Sequence, residues 1–187
     1  MRLFVALNLP KKERARVYRA SAALRDAKLP IRWIGPDNYH MTLKFLGEVH
    51  QDRVTAIEEI MHKVADSTGP FDVSLRGFGA FPTIRKPRVV WIGIVASAEL
   101  RCLKQDLEWG LADAGFEAET RAFHPHVTLG RADPKFSAGH FRGFDDIIAE
   151  LTYEGGAQIR TLDLMRSHLS RDGARYSVVT SARLAGG

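Results

Sequence analysis

The chain has 187 residues, 45% of them hydrophobic, 26% charged and 9% aromatic, an ordinary globular composition with enough apolar material for one sizeable core. Its longest uninterrupted apolar run, residues 89–96, is far short of the roughly 18 residues a membrane helix needs, which excludes a spanning helix. A net charge of +5, with 27 Lys and Arg against 22 Asp and Glu, fits an acidic partner such as nucleic acid without requiring one. The first residues, MRLFVALNLP, run straight into Lys11, Lys12 and Glu13 with no small-residue cleavage site, so no export signal is expected. The single cysteine, Cys102, excludes an internal disulfide and a Cys-based zinc site, and suits a reducing compartment; the cytoplasm is the expected location.

In chain order, Arg2–Leu9 reads as a buried strand and residues 10–28 as one helix, with Val17, Ala20 and Leu24 at helical spacing and Pro30 ending it. Ile31–Ile34 and His40–Leu46 read as a hairpin, joined by the turn formers Gly35-Pro36-Asp37-Asn38. Asp52 is the expected N-cap of a helix to Ala65, striped by Val54, Ile57, Ile60, Met61 and Val64. Phe71–Phe78 and Arg88–Val95 read as strands around a basic, proline-containing loop. A helix over 98–114 follows, with Gly115 as its C-terminal glycine. Strands are expected at 116–119, 126–129, 158–164 and 175–182, a loop at 133–143 and a weak helix at 144–151. This alternation predicts a mixed α/β or α+β architecture, and the absence of a long Ser/Gly/Pro linker predicts one domain over 1–187.

Two segments carry chemistry. Tyr39-His40-Met41-Thr42-Leu43-Lys44-Phe45 and Pro125-His126-Val127-Thr128-Leu129-Gly130-Arg131 share a His-apolar-Thr-Leu tetrad. With 7 His, 9 Thr and 18 Leu in the chain, chance predicts roughly 0.03 such tetrads. In a strand, side chains alternate faces, so His40 with Thr42, and His126 with Thr128, point one way while the apolar partners point to the core. If an approximate two-fold relates the halves of the chain, two imidazoles and two hydroxyls converge. That set suits a phosphodiester: one imidazole takes a proton from the nucleophile, the other gives one to the departing oxygen, and the hydroxyls donate to non-bridging oxygens.

His50, His62, His140 and His168 have no such partner and read as surface or packing residues. His124 and His126 form a His-x-His pair, but Pro125 constrains the backbone and no third ligand is evident, so no metal or other cofactor is expected. Arg131 falls on the opposite face from His126 in an ideal strand; it is a candidate phosphate ligand only if the chain turns just past the strand. Phe45, at the same offset from His40, is a candidate either to stack a base or to pack in the core. Trp33 and Phe123 read as packing for the His strands, and Arg85, Lys86 and Arg88 as either a solvated loop or a guide for an RNA backbone.

These tetrads resemble the two His-x-Thr-x signatures of the 2H phosphoesterase superfamily, in particular its RNA 2′,3′-cyclic phosphodiesterase branch, also called 2′-5′ RNA ligase. The resemblance extends to Arg2-Leu-Phe-Val-Ala-Leu, Arg32-Trp33 with Pro36 and Asn38, His40-Met-Thr-Leu-Lys-Phe-Leu-Gly-Glu48, Phe123-His-Pro-His-Val-Thr-Leu-Gly-Arg131, Leu164-Met-Arg-Ser-His-Leu169, Gly173 and Tyr176. It implies a bilobal α+β fold, two pseudo-symmetric lobes of antiparallel sheet with outer helices around a central cleft. It also implies metal-independent hydrolysis of an RNA-terminal 2′,3′-cyclic phosphate to a 2′-phosphomonoester, with His40 as acid and His126 as base by matching position. The implied partners are RNA with such an end, tRNA fragments included, or cyclic nucleotides, with no membrane, and the expected assembly is a monomer. Two alternatives stay open: 2′-5′ RNA ligation by the reverse reaction, and a non-catalytic nucleotide- or RNA-binding module.

Overall fold

Leu3 to Leu7 form a run of five apolar residues, each at most 2% exposed, and such a run can persist in a strand only if both faces of its sheet are covered. In the computed structural model, which describes residues 1–171 and 173–186, that strand is β1 (Arg2–Asn8), inside a four-stranded sheet. Leu3, Val5 and Leu7 face the main core, whereas Phe4 and Ala6 join Met165 and Tyr176 in a small separate cluster. No helix among the described residues is long and apolar enough to cross a membrane.

The expected helix over 10–28 is two helices, α1 (Lys11–Ala20) and α2 (Ala22–Asp26). They part at Ser21, whose Oγ donates to the carbonyls of Val17 and Tyr18 while Arg25 donates to that same oxygen. Hydroxyl bonds of this kind bend helices. The expected hairpin does not form. β2 (Ile31–Trp33) pairs with β6 (His126–Ala132) of a second sheet, and a 3₁₀ turn at Pro36–Asn38 carries the chain across to β3 (His40–Glu48), which pairs with β1. The turn residues mark a crossing between sheets.

α3 (Val54–Ser67) buries Val54, Ile57, Met61, Val64 and Ala65; it follows a 3₁₀ turn at Gln51–Arg53, and Asp52 makes no cap. β4 (Phe71–Pro82) and β5 (Pro87–Ile94) pair antiparallel. α4 (Ala98–Asp113) is capped by Ser97, which accepts from the Leu100 amide, and buries Leu100, Leu103, Leu107 and Leu111 on one stripe. Gly115 closes it at φ +82°, with the Phe116 amide returning to Leu111 and the Gly115 amide to Ala112.

Residues 116–119 are not a strand. Side chains claim their backbone instead: Lys44 donates to the Glu117 carbonyl, and the Glu119 amide donates to Glu108. A 3₁₀ turn at Ala138–Phe141 sits in the expected loop, then α5 (Phe144–Glu150). The expected strand at 158–164 is divided between β7 (Glu154–Ile159) and β8 (Thr161–Ser170), which lie in different sheets; β9 (Gly173–Arg183) completes the chain.

The sheets run β3-β1-β8-β9 and β2-β6-β5-β4-β7, so β3-β1 corresponds to β6-β5, with β2 added beyond β6. The fold is α+β, two antiparallel lobes with outer helices. The lobes are not the two halves of the chain, as a simple duplication predicts, because both chain ends lie in the first sheet. Helices are exchanged too. α4, from the β5–β6 connection, docks on β3, while α1 and α2, from the β1–β3 connection, lie against β7 and α5. One continuous apolar cluster draws on both sheets.

Candidate active site

β3 and β6 lie against each other and carry the same burial sequence: His and Thr half-buried, the residues after each buried, then a buried fifth residue and an exposed sixth. The apolar pairs, Met41 with Leu43 and Val127 with Leu129, are at most 3% exposed and anchor each strand in the core. Each strand then slips. Pairing skips one residue between Thr42 and Lys44 opposite Ala6 and Val5, and again between Thr128 and Gly130 opposite Trp91 and Val90. A bulge reverses the alternation beyond it, so Phe45 and Arg131, at an odd offset from their histidines, come onto the His/Thr side. Phe45 is 62% exposed beside Phe4, which settles the sequence alternative against a core role.

Both imidazoles are held alike. His40 donates Nδ1–H to the Asn38 carbonyl at 2.8 Å, and His126 donates Nδ1–H to the His124 carbonyl at 2.6 Å. A carbonyl can only accept, so each neutral ring keeps Nε2 free as the proton acceptor. The His40 ring sits between Phe4, at 5.0 Å, and Tyr176, edge-on at 4.8 Å. His126 has Phe81 edge-on at 5.1 Å and Trp91 at 6.4 Å. Gly79 leaves the space that the Trp91 indole fills.

Burial in these aromatic walls lowers the His40 pKa to about 4, assisted by the positive charges of Arg131 and His126 and opposed by the bond to Asn38. His126 is lowered as well, by burial first and then by His124 and Arg131. Arg131 bears on both imidazoles, so two rings and one guanidinium share a neighbourhood where an anion would relieve the repulsion. Among the described residues no group of three or more His, Cys, Asp or Glu could hold a metal ion; His124 lies 6.1 Å from His126, ring to ring, and is exposed.

Behind the first bulge lies a nearly buried charge cluster. Glu108 on α4 accepts from Lys44 at 2.9 Å and from Lys104 at 2.5 Å, and Lys104 also donates to the Leu43 carbonyl at the bulge itself. The helix between the second-lobe strands thus grips the strand that carries His40. Nothing in the sequence paired these three residues.

Other residues near His40 also escaped sequence reasoning. Asn8, opposite His40 in the ladder, donates to Asp163, a buried carboxylate that also accepts from Ser181. These residues and His40 line a polar cavity of about 360 Å³. Tyr176, quoted above only within a wider resemblance, is part of the His40 wall; its place beside a strand from the other end of the chain left no local signal. His50, His62, His140 and His168 are exposed, and Trp33 and Phe123 pack on the core, as expected. Arg88 of the basic loop is tied to the carbonyls of Asp133 and Pro134.

The LigT-like phosphoesterase family model matches residues 7–91. An RNA 2′,3′-cyclic phosphodiesterase of Methanothermobacter thermautotrophicus is 31% identical over 98% of this chain and 99% of its own length. The solved structure of TT0787 from Thermus thermophilus superposes with a TM-score of 0.84 at 27% identity, covering 100% of this chain and 99% of that one. E. coli LigT complexed with 3′-AMP gives a TM-score of 0.76 at 25% identity over 98% and 97%. The chain therefore belongs to the LigT-like family of 2H phosphoesterases, which are enzymes.

Proposed function

We propose that this chain hydrolyses RNA-terminal 2′,3′-cyclic phosphates to 2′-phosphomonoesters without a metal ion. The observation that carries the reading is the matched pair of strands, each presenting a His with Nδ1 tied to a carbonyl and a Thr beside it. Water adds to phosphorus as the Nε2 of one imidazole takes its proton; the P–O3′ bond breaks, and the Nε2–H of the other imidazole protonates the departing 3′-oxygen. Solvent then returns the two rings to their starting protonation. Thr42 and Thr128 donate to the non-bridging oxygens, Arg131 offsets their negative charge, and Phe45 stacks the terminal base. The cyclic-phosphate specificity is supported by the relative's name over 99% of its length.

Matching position makes His40 the acid and His126 the base. In that reading His40, held near 4 by burial, is protonated near neutral pH only when a phosphodiester anion enters beside it. A second reading exchanges the roles: His126, whose pKa is lowered less far, carries the proton and His40 acts as base. Phosphorus NMR of the product from a cyclic-phosphate-terminated dinucleotide, in excess EDTA, tests the reaction. A 2′-monoester from the wild type and losses of about 10²–10⁴-fold in both His40→Ala and His126→Ala are expected. Full activity in either variant overturns the pairing.

A further inference from the structure

A second, larger depression borders the site and shares Asn38 and Tyr176 with the polar cavity. It is a groove of about 770 Å³, and Arg131, Asn38 and Tyr176 form the end that it shares with the His40 surroundings. From there it runs between β2, the 133–136 loop and the start of β9. Its charge is one-sided: Arg32, Lys135 and Arg175 join Arg131, all exposed, against Asp133 alone. Asp133 is already engaged, accepting from the Lys135 amide at 2.9 Å with the Lys135 ammonium at 3.7 Å. Among the described residues neither Arg32 nor Arg175 pairs with a carboxylate. Half-buried rings of Trp33, Phe136 and Tyr176 line it too, each next in sequence to one of these cations.

The groove is held open by the framework. Arg32 and Arg131 are directly opposed in the β2–β6 ladder, so two guanidinium groups leave neighbouring backbones at one edge. Like charges so placed are unfavourable in an empty protein and favourable only toward an anion. The facing wall, the 133–136 loop, is fixed from behind by Arg88 through the carbonyls of Asp133 and Pro134. This assigns Arg88 of the basic loop to support the wall.

We propose that this groove binds the single-stranded ribose-phosphate chain 5′ of the terminal cyclic nucleotide, with Arg32 and Arg175 contacting internucleotide phosphates. Cations combined with aromatic rings are the chemistry of single-strand binding, and the groove includes Arg131, whose charge bears on both imidazoles. An acidic peptide would use the cations but not the rings. The proposal rests on the cyclic phosphodiesterase reading and extends it: the enzyme selects polymer ends over free cyclic nucleotides.

The test compares wild type with the double variant Arg32→Ala/Arg175→Ala on two substrates, a cyclic-phosphate-terminated tetranucleotide and a 2′,3′-cyclic mononucleotide. The same tetranucleotide ending in a 2′-phosphate is followed by fluorescence anisotropy. The expected result is a loss of about tenfold in kcat/KM for the tetranucleotide, with the mononucleotide unchanged. The slope of log affinity against log salt should also become shallower by about 1.4, at ~0.7 per single-strand phosphate contact. Equal effects on both substrates, or no effect on either, overturn the groove. If the wild type turns over neither substrate, the catalytic reading fails; an anisotropy loss in the variant then still upholds the groove, and unchanged binding overturns it.

Discussion

Acidity should move this enzyme's activity in a direction set by its aromatic walls. Turnover needs one imidazole charged and the other neutral, so activity falls at low pH, where both carry protons, and at high pH, where neither does. An ordinary imidazole titrates near 6.5; burial takes His40 to about 4 and His126 below 6.5. For His40 the difference, at ~1.4 kcal/mol per pH unit, amounts to about 3.5 kcal/mol against the charged ring. The singly protonated pair is then most populated below about pH 5.3, midway between those limits, and at pH 7.5 it is less than about a tenth of the whole. The assay is kcat/KM for a 2′,3′-cyclic mononucleotide from pH 3.5 to 9, since that ratio reports the free enzyme. A maximum on the acid side is expected, with kcat alone peaking at higher pH because the bound phosphate favours imidazolium. A kcat/KM maximum at pH 7 or above would refute the reasoning.

Arg131→Gln should lower kcat by about 10²–10³-fold, as the loss of a preorganised charge at the phosphate does. The same change should raise the His40 pKa, followed by NMR of the ring protons, because Arg131 is one of the charges holding it down. Phe45→Ala should weaken KM for base-bearing substrates by about 1–3 kcal/mol and leave kcat nearly unchanged, as steady-state kinetics will show. Glu108→Gln leaves Lys44 and Lys104, 5% and 11% exposed, without their carboxylate; about 3–5 kcal/mol should be lost in urea unfolding at pH 7.

The matched tetrads were legible because strand alternation turns a spacing of two into a shared face, and both His/Thr pairs do share one. Phe45 and Arg131 were legible as candidates but not as residues on the His/Thr side of their strands. Their odd offset puts them on the wrong face of an ideal strand, and bulges depend on the partner strand's register. The failed hairpin has the same origin: hydrophobic pattern says that Ile31 and Met41 are inward, and is silent on which strand each will pair with. Pro36 and Asn38 announced a turn, yet a turn between sheets and one within a sheet use the same residues. The exchanged helices lie further out of reach, since the Leu stripe of α4 specifies burial and only Lys44, Glu108 and Lys104 specify where.

Proton transfer by two imidazoles is tested most directly by changing the leaving atom. A cyclic substrate with sulfur in place of the 3′-oxygen expels a thiolate, which departs without being protonated, so the general acid becomes dispensable while the base stays essential. Measured with His40→Ala and His126→Ala, the sulfur substrate should restore one variant to near wild-type rates and leave the other slow, thereby identifying the acid. If both variants stay equally slow on sulfur, or if neither is slow on oxygen, the two-histidine account is contradicted.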